Sequence, residues 1–115
     1  MTAQQESLEV YQTGELTVVG FGGREILDQI DLTQCRAQII GLVEQHKAKT
    51  LAFDLAGVKL IPSGMLGLLA SLRRMNIEVQ LYNPSPDVVE VLNITKLGNL
   101  MSVHYIDVEK PGNGA

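Results

Sequence analysis

Apolar residues recur along most of this chain at the spacings of strands and helices. Residues 8–12 and 16–21 are short strand-forming runs, and the three residues between them suit a hairpin turn. From about residue 32 to residue 47 the apolar positions repeat with the helical period, and Asp31 before them is a favourable N-cap. The predicted buried stripe of this helix consists of Leu32, Cys35, Ile39, Leu42, Val43 and His46.

The second half of the chain alternates between strand and helix patterns. Residues 49–58 are an almost continuous apolar run, typical of a strand that is covered on both faces. Residues 78–82 and 102–106 are two further predicted strands. A helix that begins near Ser63 follows the first of these three strands. Its predicted buried side consists of Met65, Leu68, Leu69, Leu72 and Met75.

The start of a third helix is signalled by three consecutive residues. Ser85 is a good N-cap, Pro86 suits the first helical position, and Asp87 places a negative charge in the first turn. Gly98 marks the predicted end of this segment. The order of elements is therefore β-β-α-β-α-β-α-β. This order predicts an α/β domain with a mixed, largely parallel central sheet, an N-terminal antiparallel hairpin and helices packed on the sheet.

Length, charge and cysteine content narrow the class of protein. We expect one domain over residues 8–108, with flexible ends at residues 1–7 and 109–115. The net charge of −4 and the scattered Lys and Arg residues argue against a nucleic-acid partner. A single cysteine excludes an internal disulfide, and no signal peptide or membrane-spanning pattern is present. We therefore expect a cytoplasmic protein without membrane insertion.

Ser63 is the candidate functional residue, because it lies where a predicted strand leads into a helix. Functional groups gather at such junctions in open α/β sheets, but a serine there is also a favoured N-cap, so both roles stay open. Ile61 and Met65 stand where the nucleophile elbow of hydrolases requires glycine. No motif links His46 or His104 to Ser63, and no cluster has metal-ligand spacing. We therefore expect no catalytic residue, no metal and no cofactor.

The segment FDLAGVKLIPSGMLGLLASLRR, residues 53–74, carries a pattern that spans a strand end, a loop and a helix start. It resembles the signature of the STAS family, the bacterial anti-sigma factor antagonists. The positions that match without a gap are Asp54, Leu55, Val58, Ile61, Ser63, Leu66 and Gly67. Residues 83–104 resemble the family's second block, in which Ser-Pro starts a helix before the last strand. The resemblance covers residues 8–108 and implies the STAS fold.

This resemblance implies a protein-interaction module rather than an enzyme. In the family, the signature serine is phosphorylated by a partner kinase that is also the anti-sigma factor, and the register places this role on Ser63. The implied partner is an anti-sigma factor and serine-protein kinase of the ATP-binding, histidine-kinase-like type, and its capture releases a sigma factor. We expect a monomer or a weak dimer. The implied partner-binding residues are Asp28, Pro62, Ser63, Gly64, Leu66 and Gly67, with Leu66 taken as a helix residue that the core does not need.

Three positions depart from the family signature. Pro62 stands where the family has Asp, Gly64 where it has a second Ser or Thr, and Met65 where it has Gly. The family's Gly-x-Leu-Asp after the second strand is matched only loosely, by residues 26–28. These departures leave open a STAS interaction subunit or scaffold, in a signalling or lipid-transport complex, that is not phosphorylated. A small enzyme or anion binder that uses the N-terminus of the helix is a third alternative.

Overall fold

The computed structural model describes residues 8–22 and 31–106. The elements, in chain order, are β1 (Glu9–Gln12), β2 (Leu16–Gly20), α1 (Leu32–His46), β3 (Thr50–Asp54), α2 (Ser63–Arg74), β4 (Glu78–Tyr82), α3 (Pro86–Thr95), a 3₁₀ helix (Leu97–Leu100) and β5 (Ser102–His104). The predicted order is confirmed, and the 3₁₀ helix is added to it before β5. The predicted flexible ends, 1–7 and 109–115, lie outside the described residues, as does Asp28.

The described strands form one mixed sheet in the order β1-β2-β3-β4-β5. β1 pairs antiparallel with β2, and β2 to β5 pair parallel with one another. The predicted fold class is confirmed. The three parallel connections, through α1, α2 and α3, each join neighbouring strands, and each leads to the next strand in the same direction across the sheet. Because such crossovers are right-handed, α1, α2 and α3 all cover the same face of the sheet.

The hydrophobic core lies between the three helices and this covered face. Val19, Phe53 and Leu81 stand in register on β2, β3 and β4, and all three are fully buried. Side chains alternate along a strand, so the next residues, such as Val18 and Ala52, point to the opposite face, which no described helix covers. Leu51, Ala52 and Phe53 are nevertheless all buried, so the middle of β3 is buried on both faces, as its apolar run predicted. β3 ends at Asp54, and the rest of that apolar run belongs to a loop.

Two helices begin with the predicted side-chain caps. The Asp31 carboxylate accepts the Gln34 N–H at 3.1 Å, at the start of α1. The Ser85 hydroxyl oxygen accepts the Val88 N–H at 3.2 Å, at the start of α3. Each cap satisfies a backbone donor that the helix itself leaves free, which typically stabilises a helix by about 1 kcal/mol.

Two predicted positions near helix ends are wrong. α3 ends before Lys96, whose φ of +63° is left-handed and stops the helix, whereas Gly98 lies inside the 3₁₀ helix. Met75 does not belong to the buried stripe of α2, because α2 ends at Arg74 and leaves the Met75 side chain 43% exposed.

Cys35 is fully buried in the stripe of α1, as predicted. Burial raises the pKa of the Cys35 thiol to about 11, and the neighbouring Asp31 carboxylate adds to the rise. Because the thiolate is the reactive form, we expect alkylation near neutral pH to be about a hundredfold slower than for an ordinary thiol. Mass spectrometry after iodoacetamide treatment, with and without urea, checks this. Equal rates in both conditions would contradict the packing of α1.

Candidate functional site

The loop that leads from β3 to α2 is held in place at its first residues. The Asp54 carboxylate accepts the Ala56 N–H at 3.0 Å, and the Leu55 N–H donates to the Tyr82 carbonyl at 2.9 Å. Leu55 and Val58 are each 1% exposed, so their side chains anchor the loop in the core. The start of α2 is thereby fixed at the carboxyl end of the parallel strands, where functional groups gather in this class of fold.

A further hydrogen bond joins this loop to α3. The Ser85 hydroxyl, which caps α3, donates to the Lys59 carbonyl at 3.2 Å. The next residue, Leu60, is 51% exposed, and with Val91 of α3 it lines a shallow groove of about 30 Å³. Sequence reasoning missed these exposed apolar residues. Leu60 lies in a loop without periodicity, so no pattern indicated whether its side chain is buried.

Ser63 is the first residue of α2 and its side chain is exposed. The prediction that Ser63 is the N-cap is wrong, because Pro62 occupies the cap position with extended backbone angles. The Pro62 carbonyl accepts the N–H groups of Met65 and Leu66 at 2.9 and 3.3 Å. Within the described residues, the Ser63 hydroxyl makes no hydrogen bond.

The backbone at this helix start is suited to a negative charge. The N–H groups of Ser63 and Gly64 have no acceptor within the described part of the chain. The first turn of α2 carries no acidic side chain that would compete for them. Free N–H groups and the helix dipole together favour an anion at such a terminus.

Gly64 lies against the first residue of α1. A β-carbon at position 64 would stand 2.5 Å from Leu32 Cδ1, so any larger residue requires the Leu32 side chain to turn away. This contact brings the starts of α1 and α2 together at the same edge of the sheet. It also gives a local reason why glycine, rather than a second hydroxyl residue, fits here.

The structure divides the predicted partner-binding residues into two groups. Ser63, Gly64 and Gly67 are exposed and Pro62 is half-buried, and all four lie at the start of α2. Leu66 is only 4% exposed and belongs to the hydrophobic core, so the expectation that the core does not need Leu66 is wrong. The Leu66 side chain lines the groove between the loop and α3, a contact with a distant segment that the periodicity of α2 does not reveal.

Within the described residues, neither histidine and no metal-ligating cluster accompanies Ser63. His46 ends α1 at the opposite edge of the sheet, and the His104 ring on β5 stacks on Tyr82, with centroids 4.9 Å apart. Over residues 8–22 and 31–106, no group of His, Cys, Asp or Glu side chains has the arrangement of a metal site. None of the described helices has the length and apolar character needed to cross a membrane.

No protein-family model matches the sequence, and no curated protein matches it. Among solved structures, the anti-sigma factor antagonist SpoIIAA in its unphosphorylated form matches with a TM-score of 0.71 and 25% identity, over 84% of this chain and 86% of that chain. A STAS domain protein from Planctomyces limnophilus matches with a TM-score of 0.71 and 19% identity, over 88% and 92%. Phosphorylated SpoIIAA of Bacillus matches with a TM-score of 0.60 and 23% identity, over 84% and 89%. The chain therefore has the STAS fold of the anti-sigma factor antagonists.

Proposed function

We propose that this protein is a cytoplasmic anti-sigma factor antagonist that binds an anti-sigma factor serine kinase and thereby releases a sigma factor. In this proposal, phosphorylation of Ser63 ends the interaction. The observation that carries it is the exposed hydroxyl of Ser63 at the start of α2, where the residue register with the STAS signature puts the phosphorylated serine. The similar protein SpoIIAA has been solved in both unphosphorylated and phosphorylated forms, which supports the same kind of switch.

The fold tolerates a phosphate on Ser63. The phosphate adds a charge of about −1.5 to −2, which the helix dipole and the free N–H groups of Ser63 and Gly64 favour. The Ser63 side chain packs into no part of the core, so modification displaces no buried group. The switch therefore acts through the docked interface and leaves the folded domain intact.

The surface around Ser63 is suited to a partner that covers it. Leu60, in the loop before α2, supplies exposed apolar area. Gly67 lies near Ser63 at the start of α2, with open space around its α-carbon. A partner backbone can approach closely at Gly67, because no described side chain lies within 4 Å of the position that a β-carbon there would take. Burying a doubly charged phosphate in such a contact carries a large desolvation cost unless the partner supplies cations. Asp28 and Pro62 remain part of the proposed interface through the family resemblance.

The direct test is phosphorylation of the purified protein. We expect incubation with the anti-sigma kinase of its host and ATP to add one phosphate, located by fragmentation mass spectrometry at Ser63. Ser63→Ala is expected to abolish incorporation, whereas Thr33→Ala, which removes an exposed hydroxyl in the first turn of α1, leaves it unchanged. Incorporation at another residue, or none with an active kinase, would contradict the phosphorylation switch.

A protein that binds its partner without phosphorylation is the second candidate. Pro62 and Gly64, which replace the Asp and the second hydroxyl of the family signature, favour it. This STAS subunit or scaffold, in a signalling or lipid-transport complex, is distinguished by mass spectrometry of complexes isolated from the host. It predicts that Ser63 is unmodified in them, together with unchanged partner binding by Ser63→Ala.

A further inference from the structure

The face of the sheet that the helices leave uncovered carries a cleft. The cleft encloses about 250 Å³ and lies over β2, β3 and β4. Leu16, Val18 and Ala52 form its apolar floor, and Ile106 closes one side. The Ile106 N–H donates to the Asn83 side-chain oxygen at 2.9 Å, which fixes that wall in place. Ser63 begins a helix on the other face, so this cleft is separate from the proposed phosphorylation site.

Two tyrosine rings flank the cleft. On one side, the Tyr11 ring lies directly on Gly20, within 2.6 Å of the position that a β-carbon there would take. Only glycine at position 20 leaves room for the ring. On the other side stands Tyr82. Gly20 and Tyr82 are in register two strands apart, a separation of about 10 Å between their backbones, so the two rings flank the end of β3 from opposite sides.

The Tyr82 ring is held in a fixed orientation by its neighbours. Its hydroxyl donates to the Gln80 side-chain oxygen at 2.9 Å, and Gln80 in turn donates to the Glu78 carboxylate at 3.3 Å. The His104 ring covers one face of Tyr82, with an angle of 20° between the two planes. The other face of Tyr82 is directed toward β3 and the cleft. The binding surface is thus organised before any ligand arrives.

A carboxylate lies between the two rings. Asp54 stands on β3 in register with both Gly20 and Tyr82, and its side chain lines the cleft. One of its oxygens accepts the Ala56 N–H at 3.0 Å. Within the described residues, no Lys, Arg or His forms an ion pair with Asp54. The cleft therefore presents one negative charge and two aromatic faces above an apolar floor.

We propose that this cleft binds a small organic cation, an amine or guanidine carried on an apolar body. The cationic group lies between the rings of Tyr11 and Tyr82 beside the Asp54 carboxylate, because aromatic faces and carboxylates both attract cations. The apolar body lies on Leu16, Val18 and Ala52 and is removed from water there. An anion of the same shape is repelled by Asp54.

The test compares three probes of the same shape and different charge. Titration calorimetry with 2-phenylethylamine is expected to show saturable one-to-one binding, with amide NMR shifts on β2, β3 and β4. We expect 2-phenylethanol to bind at least about tenfold more weakly and 3-phenylpropionate not to bind measurably. Equal affinity for the amine and the alcohol, or no binding of the amine, overturns the proposal.

Variants assign the binding to the cleft. Asp54→Asn keeps an oxygen for the Ala56 N–H and removes the charge, so amine affinity is expected to fall at least about tenfold while alcohol affinity stays the same. Tyr11→Leu is expected to weaken the amine similarly, and Tyr105→Leu, at a 65% exposed tyrosine outside the cleft, is the control. If Asp54→Asn leaves the affinity for the amine unchanged, the proposal is contradicted. Sedimentation velocity could instead show that the protein is a dimer and that Tyr11→Leu dissociates it. That result would overturn the proposal, because the occupant of the cleft would then be a second copy of the chain.

Discussion

Replacing Ser63 with glutamate is expected to weaken binding to the anti-sigma kinase about a hundredfold or more, which follows from the proposed switch. A carboxylate at this position places a charge in the docked surface, and an uncompensated buried charge readily costs the roughly 2.7 kcal/mol that this loss requires. The free energy of unfolding is expected to stay the same or rise by about 0.3–1 kcal/mol, because a negative charge at a helix N-terminus is favourable.

Surface plasmon resonance with the immobilised kinase, together with urea denaturation, measures both quantities. Gln45→Glu is the matched control, since it adds the same charge at an exposed position near the far end of α1. It is expected to leave affinity unchanged. Wild-type affinity of Ser63→Glu would contradict a charge-based switch at Ser63, and a loss of affinity in both variants would point to a general effect of net charge.

Replacing Leu66 with aspartate is expected to unfold the domain. Leu66 is 4% exposed in the core, so the change removes a buried leucine and puts an unpaired charge in its place. Removal of a buried leucine side chain alone typically costs about 2–5 kcal/mol, and burial of the charge adds to that cost. Since domains of this size are stable by about 5–15 kcal/mol, most of the population should be unfolded or strongly destabilised.

Gly67→Asp is the matched control for Leu66→Asp. It introduces the same side chain one position later, where a β-carbon meets no atom of the described residues within 4 Å, so the stability should change by less than about 1 kcal/mol. Circular dichroism in urea gives both free energies of unfolding, and kinase binding of Gly67→Asp tests the docking surface separately. A Leu66→Asp variant of wild-type stability that fails to bind the kinase would return Leu66 to the role the sequence predicted for it.

The order of elements and two of the helix caps were predictable because their causes are local. Asp31 and Ser85 each bond a backbone N–H three residues further along the chain, so the residue types alone indicate the caps. The parallel sheet follows from alternating strand and helix patterns, since such connections have one favoured hand. The junction at Ser63 was found for the same reason, because a strand end followed by a helix start is visible in the sequence.

Other features depended on contacts between distant parts of the chain. The sequence at α2 contains both a serine and a proline suited to a helix start, and the anchoring of Leu55 and Val58 in the core decides where the chain enters the helix. Leu66 is buried and Leu60 is exposed, although both are leucines near the same serine. Which of them meets the core depends on the helix orientation, and the packing against α1 and the sheet sets that orientation.

By itself, the sequence determined the α/β class, the element order and the position of Ser63 at a strand-to-helix junction. Only the tertiary structure decided which face of the sheet the described helices cover and which side chains meet on the opposite face. Tyr11, Asp54 and Tyr82 lie on three different strands, and strand pairing brings them together. Periodicity reports how each segment divides between buried and exposed sides. It carries no information about which distant segment lies beside it, because that depends on the register and packing of the whole sheet.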